Sequence, residues 1–219
     1  MPIAAAVLVA PVMLAAFREG PLPNMAGGFG DPDCRTCHFD NPANAAGGEV
    51  DLEGVPKVYQ RGRTYVIAVK IRRDGLLRGG FEIAARFASG AQKGSQAGRW
   101  EVGAGGRVQT VASKTDASLI FVQHTTLGSK ASAAGTLSWS IEWTAPRSDE
   151  PVQFNLAANA ANDDASPLGD FIYTREITAP AAGRVFRPDD GGNARRAARP
   201  RLTRSEAHAW SHSRTLPPP

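Results

Sequence analysis

The two cysteines of this 219-residue chain stand in one short motif, Cys34-Arg35-Thr36-Cys37-His38. Covalent attachment of a c-type haem requires this spacing, because two thiols add across the porphyrin vinyl groups and the following imidazole ligates the iron. The sequence therefore predicts one covalent haem c, with Cys34 and Cys37 as the attachment positions and His38 as the proximal iron ligand.

A second axial ligand is sought among the remaining His and Met residues. His124 alternates with Ile120 and Val122 along a candidate strand, so that an imidazole on this face is a candidate distal iron ligand. A hydrogen-bonded His with no ligand role is the alternative for this position. Met25 lies nine residues before Cys34 and is the next candidate, provided that the arm which carries it folds back.

Three other interpretations use the same cysteines. A local disulfide is common in exported proteins. A thioredoxin-like redox pair needs a strand-to-helix turn, whereas this motif lies in a segment rich in Gly, Asp and Pro. A structural zinc site needs four ligands where the motif offers three, and His208 or His212 in the C-terminal tail could supply the fourth.

Apolar and polar residues alternate in several segments, as is typical of half-buried strands. The apolar positions are Tyr65, Ile67, Val69 and Ile71; Phe81, Ile83, Ala85 and Phe87; Leu137, Trp139, Ile141 and Trp143; and Val152, Phe154, Leu156 and Ala158. Shorter candidates lie near residues 49–52, 100–102, 108–111, 118–125 and 171–177. Turn sequences separate them, among them Asp74-Gly75, Arg78-Gly79-Gly80 and Ala104-Gly105-Gly106. The pattern predicts an all-β, immunoglobulin-like antiparallel sandwich of about nine strands.

The chain divides into four predicted parts. Residues 1–24 contain an apolar run too short to span a bilayer comfortably and typical of a signal peptide, which predicts export to the periplasm or cell surface. Residues 25–48 form the loop with the haem motif, and residues 49–178 form the sandwich. Residues 179–219 are predicted to be a disordered tail rich in Arg and Pro. We expect no transmembrane segment in the mature chain.

The charge of the chain is concentrated at its end. Residues 184–219 hold eight Arg against three acidic residues, an excess of five positive charges. Since the whole chain carries +4, the other 183 residues are almost neutral. No basic patch with interleaved aromatic residues occurs there, so we expect no nucleic-acid partner despite the pI of about 9.4.

An ordered series of segments resembles the bacterial Reeler-like family often labelled choice-of-anchor V domains. The series runs from Gly27 through the Cys-x-x-Cys-His motif, then Tyr59-Gln60-Arg61-Gly62, Gly79-Gly80-Phe81-Glu82-Ile83, Gln123-His124-Thr125 and Trp139-Ser140-Ile141-Glu142-Trp143-Thr144-Ala145-Pro146 to Ala158-Asn159-Ala160-Ala161-Asn162. The resemblance implies an immunoglobulin-like sandwich, export, and a haem loop ahead of the first strand. It also implies a His at the place of His124 as the distal ligand.

A haem with two protein ligands has no open position for substrate, which predicts electron transfer to a redox partner. The alternative is an extracellular adhesion or ligand-binding module with a Cys34–Cys37 disulfide and no haem. A haem sensor or a peroxidase-like site is a third possibility, which requires that His124 does not ligate the iron and that one position on it is vacant. No catalytic triad or nucleotide loop occurs, so we do not expect an enzyme. Phe81, Trp139 and Trp143 are assigned to the core rather than to the haem.

Overall fold

The computed structural model describes residues 18–183 with the exception of positions 132 and 134. The predicted leader up to residue 17 and the predicted tail from residue 184 lie outside the described residues. The described chain folds into nine strands, one four-residue helix and one 3₁₀ turn.

The strands are β1 (Gly48–Glu53), β2 (Thr64–Arg73), β3 (Arg78–Phe87), β4 (Arg99–Glu101), β5 (Val108–Ala112), β6 (Ile120–His124), β7 (Thr136–Thr144), β8 (Val152–Ala161) and β9 (Phe171–Ala179). The helix α1 spans Thr126–Ser129, and the 3₁₀ turn spans Cys34–Thr36. Each of the nine strands matches a segment that the period-2 pattern predicts.

Two antiparallel sheets form a sandwich. One sheet has the order β1-β2-β7-β4 and the other has the order β5-β6-β3-β8-β9. Strand β3 pairs along its whole length with β8, which lies far from it in the sequence. The all-β sandwich predicted from the sequence is confirmed.

The apolar faces of the two sheets meet in one main core. Trp143 is fully buried and packs edge-on against Phe154, at 4.8 Å between ring centroids. Phe81 and Trp139 pack at 4.7 Å, and the Trp139 Nε1–H donates to the Gly128 carbonyl. The assignment of these aromatic residues to the core is confirmed.

The turn predicted at Arg78-Gly79-Gly80 is wrong. These residues begin β3, where Gly80 is the register partner of Asn159 on β8. The physical reason for the glycines is space: a Cβ at Gly80 would lie 2.7 Å from both ring nitrogens of His124. Glycine is needed here for a close approach within a strand.

The sandwich extends past the predicted boundary at residue 178. Ala179 is fully buried as the last residue of β9, opposite Val152. Beyond it, the Tyr59 N–H donates to the Pro180 carbonyl at 2.9 Å and the Ala182 N–H donates to the Tyr59 carbonyl at 2.8 Å. Residues as far as Ala182 therefore belong to the folded body.

Within residues 18–183, no helix has both the length and the apolar character needed to cross a membrane.

Candidate functional site

The residues singled out by the sequence line one cleft of about 890 Å³, including the part open to solvent. Cys34, Cys37 and His38 form part of its wall, together with His124 and Met25. The cleft floor includes Gly79, Gly80 and Phe81 at the start of β3, and Asn159 on β8.

The motif itself forms a single tight turn. The Asp33 side chain caps it by accepting from the Arg35 N–H at 2.8 Å, and its carboxylate also binds the Arg35 guanidinium. The N–H groups of Cys37 and His38 both donate to the Cys34 carbonyl, at 3.2 and 3.0 Å. This turn brings both thiols and the following imidazole to the same cleft.

An arm formed by residues 18–33 carries the motif to the outer face of the five-stranded sheet. The side chain of Glu82 is fully buried there and its Oε1 accepts from the Met25 N–H at 2.6 Å. Arg86, four residues further along β3, pairs with Asp31 of the arm. Ala26 packs into a small apolar cluster with Ala84, Leu119 and Phe121. The arm is thus fastened to the sheet on both sides of Ala26.

Burial raises the pKa of Glu82 to about 8. The backbone N–H groups that donate to its carboxylate lower this pKa, but burial has the larger effect. The same carboxyl group lies close enough to influence the thiol of Cys34. Burial of Cys34, with further contributions from Glu82 and Asp33, holds the pKa of its thiol well above the ordinary value. A raised thiol pKa disfavours the reactive thiolate that a thioredoxin-like site needs.

His38 is fixed by Asp170, which directly precedes β9, and by Asn159 on β8. Its Nδ1 lies 2.8 Å from Oδ2 of Asp170, whose side chain is almost completely buried. The Asn159 Nδ2 donates to the same Asp170 oxygen at 3.0 Å and lies 3.4 Å from each His38 ring nitrogen. A carboxylate behind one imidazole nitrogen is the usual outer-shell partner of a metal-ligating His.

The backbone after His38 is also joined to the start of β9. The Asp40 carboxylate accepts from the Gly169 N–H at 2.5 Å, and the Asn41 Nδ2 donates to the Asp170 carbonyl at 2.9 Å. The Asn44 N–H donates to the Ile172 carbonyl at 2.8 Å. These bonds hold the imidazole and its carboxylate partner at a fixed separation.

His124 ends β6, which lies inside the sheet between β5 and β3 rather than at its edge. The residue is 7% exposed, and its Nδ1 lies 3.1 Å from the Phe81 nitrogen and 3.3 Å from the Phe81 oxygen. Either the backbone N–H donates to Nδ1, or a protonated Nδ1 donates to the carbonyl. Only the second arrangement leaves Nε2 with a lone pair for iron.

Cys34, Cys37 and His38 are the residues that would hold a c-type haem at this site. Within the described residues no group of three or more His, Cys, Asp or Glu is placed to hold a metal ion. His208 and His212, which the zinc interpretation needs, lie outside these residues. Cys34 and Cys37 are both free thiols, as thioether formation requires.

The outer partners of this site are not evident from the sequence. Glu82 and Arg86 alternate with apolar residues along β3, and Asp31 and Asp170 lie in polar segments. Nothing in the local sequence signals their burial, because the arm that covers Glu82 and Arg86 joins the sheet over more than 50 residues of chain.

Comparisons with known proteins were made for the whole chain. No protein-family model and no curated protein matches it. Among solved structures, the reeler domain of human F-spondin is similar with 16% identity and a TM-score of 0.42, over 63% of this chain and 92% of that one. The Reelin-N domain of F-spondin is similar with 14% identity and a TM-score of 0.42, over 68% and 96%.

A cohesin module of a family 33 glycoside hydrolase from Clostridium perfringens is also similar, with 11% identity and a TM-score of 0.38 over 63% of this chain and all of that module.

Proposed function

We propose that this chain is an exported β-sandwich module of the Reeler-like, choice-of-anchor V kind that carries one covalent haem c and transfers electrons to a redox partner. One observation carries the proposal: Cys34, Cys37 and His38 line a single cleft together with two candidate sixth ligands, His124 and Met25. These residues come from the arm and from β6, which are far apart in the sequence.

Each residue has a distinct part in this proposal. Cys34 and Cys37 would hold the haem through two thioether bonds, and His38, which contacts Asp170, would ligate the iron. His124, packed on Gly80, would be the second nitrogen ligand. The haem supplies one-electron exchange when bound.

The test is the full chain, expressed with a signal peptide in cells that mature c-type cytochromes. We expect a red protein whose haem survives acid-acetone extraction, gives a pyridine haemochrome spectrum and adds the mass of one haem. The double variant Cys34→Ser, Cys37→Ser is the control, because it retains His38 and the cleft while removing both attachment points. It should lose all covalent haem.

A colourless wild-type protein with a Cys34–Cys37 disulfide would instead favour an adhesion or ligand-binding module without haem. A red protein that is high-spin and binds carbon monoxide without any substitution would favour a haem sensor or a peroxidase-like site. The two results are separated by the visible spectrum and by mass spectrometry of the peptide that contains the motif.

A further inference from the structure

The contact between His38 and Asp170 indicates which His38 nitrogen carries a proton, which the motif alone does not. Asp170 stands directly before β9, its side chain is buried, and its Oδ2 lies 2.8 Å from the His38 Nδ1. A carboxylate oxygen accepts hydrogen bonds and, when ionised, has no proton to donate. With Asp170 ionised, the hydrogen between the two atoms is carried by Nδ1.

We propose that Asp170 is a positioning residue that fixes His38 as the Nδ1–H tautomer and thereby leaves Nε2 as the nitrogen for iron. The effect of Asp170 on redox chemistry rests on the haem function proposed above. The tautomer of His38 does not, because it can be measured in the chain without haem.

Asn159 supports the same arrangement. Its Nδ2 donates to Asp170 Oδ2 at 3.0 Å, so that this single oxygen receives two N–H groups. The Asn159 Nδ2 is 3.4 Å from the His38 Nε2, longer than an ordinary hydrogen bond. The Nε2 lone pair is therefore not committed to a strong bond with Asn159.

The burial of Asp170 gives the contact an electrostatic consequence. Its other oxygen, Oδ1, is buried with no hydrogen-bond partner, and a buried carboxylate is costly unless it is well compensated. A negative charge behind the proximal imidazole favours the ferric over the ferrous iron, and it acts strongly because the local dielectric is low. Asp170 should therefore lower the reduction potential of the haem.

The first measurement needs no haem and no substitution. Long-range ¹⁵N–¹H NMR of the full chain, produced in a reducing cytosol without haem maturation, reports which nitrogen of His38 carries the proton. We expect the Nδ1–H tautomer. A predominant Nε2–H tautomer would overturn the proposal.

The second measurement is the reduction potential of the haem-loaded protein. Asp170→Asn retains the size of the side chain and removes its charge, and we expect a more positive potential. Asp164→Asn is the matched control, because Asp164 lines the same cleft but is exposed and bonds Asn162 and Ser166 instead of His38. A shift in Asp170→Asn no larger than in Asp164→Asn would overturn the proposal.

Failure of the proposed function gives a different pattern. A colourless wild-type protein contradicts the haem, whereas the tautomer measured in the same colourless chain still decides whether Asp170 fixes His38. A red protein with the Nε2–H tautomer of His38 contradicts only the proposed positioning role of Asp170.

Discussion

At the scale of single residues, the candidate site depends on which nitrogens carry protons. His38 has a carboxylate behind Nδ1, whereas His124 has both the N–H and the carbonyl of Phe81 within 3.3 Å of Nδ1. The two imidazoles therefore differ in the proposed haem site. His38 would ligate iron through Nε2 with Asp170 beside Nδ1, whereas His124 would do so only with its Nδ1 proton donated to the Phe81 carbonyl.

The distal position is tested by removing the imidazole. In the haem-loaded protein, His124→Ala should keep the covalent haem and convert a low-spin spectrum to a high-spin one that binds carbon monoxide or cyanide readily. Met25→Leu is the control, since Met25 lines the same cleft and is replaced by a side chain of similar volume. An unchanged low-spin spectrum in His124→Ala, with loss of a sulfur-to-iron charge-transfer band in Met25→Leu, would assign the ligand to Met25.

Gly80 sets the space available to His124. In Gly80→Ala the new Cβ would overlap the imidazole, which is buried and unable to move away freely. We expect a loss of about 1–3 kcal/mol in the free energy of unfolding, the usual cost of overpacking. Gly103→Ala is the matched control, because no atom lies within 4 Å of a Cβ there. Thermal unfolding followed by circular dichroism compares the two, and equal melting temperatures would contradict the overlap.

At the scale of elements, the arm and strand β3 form one unit. Glu82 and Arg86 on the outer face of β3 bind the arm at Met25 and Asp31, and Ala26 packs between these two points. The arm ends in the turn that contains both cysteines. The position of the motif therefore depends on a buried carboxyl group on β3, the central strand of the five-stranded sheet.

Glu82 should make the stability of the protein depend on pH. Its pKa rises from 4.5 to about 8 on folding because of burial, so the folded state binds more protons than the unfolded state between these values. The free energy of unfolding should then fall as the pH rises from 5 to 8, by up to about 1.4 kcal/mol per pH unit.

Glu82→Gln has no titrating group at this position while keeping an oxygen that accepts from the Met25 N–H. We expect this variant to lose most of the slope and to be more stable than the wild type above pH 8. Glu142→Gln, at an exposed position of β7, should leave the slope unchanged. Urea unfolding at a series of pH values gives the comparison, and parallel slopes for wild type and Glu82→Gln would contradict the assignment.

The sequence predicts these elements to different extents. Alternation of apolar residues identifies all nine strands, because one face of each sheet must be buried. It misplaces Gly79 and Gly80 in a turn, because glycine in a strand and glycine in a turn look alike without the His124 ring beside them. The motif predicts Cys34, Cys37 and His38 through their spacing. Asp170 is not predictable as their partner, since the contact spans 132 residues of chain.

At the scale of the whole molecule, the folded body ends later than the sequence predicts. Tyr59 is fully buried and its hydroxyl donates to the carbonyls of Ser148 and Glu150. Its backbone binds Pro180 and Ala182, so the segment after β9 closes this end of the sandwich. Residues 179–182, which the sequence assigns to the tail, therefore belong to the sandwich.

Two truncations therefore define the boundary. A chain that ends at Gly183 lacks the residues predicted to be disordered, which have a net excess of five positive charges. We expect its melting temperature to match that of the full chain, because ordering such a segment would cost conformational entropy without burying an apolar face.

A chain that ends at Thr178 also lacks buried Ala179 and both backbone bonds to Tyr59. It should melt several degrees lower, since each buried bond left unmade costs about 1–3 kcal/mol. Differential scanning calorimetry of the two chains and the full protein tests this directly. A large loss of stability already at Gly183 would show that the tail belongs to the fold.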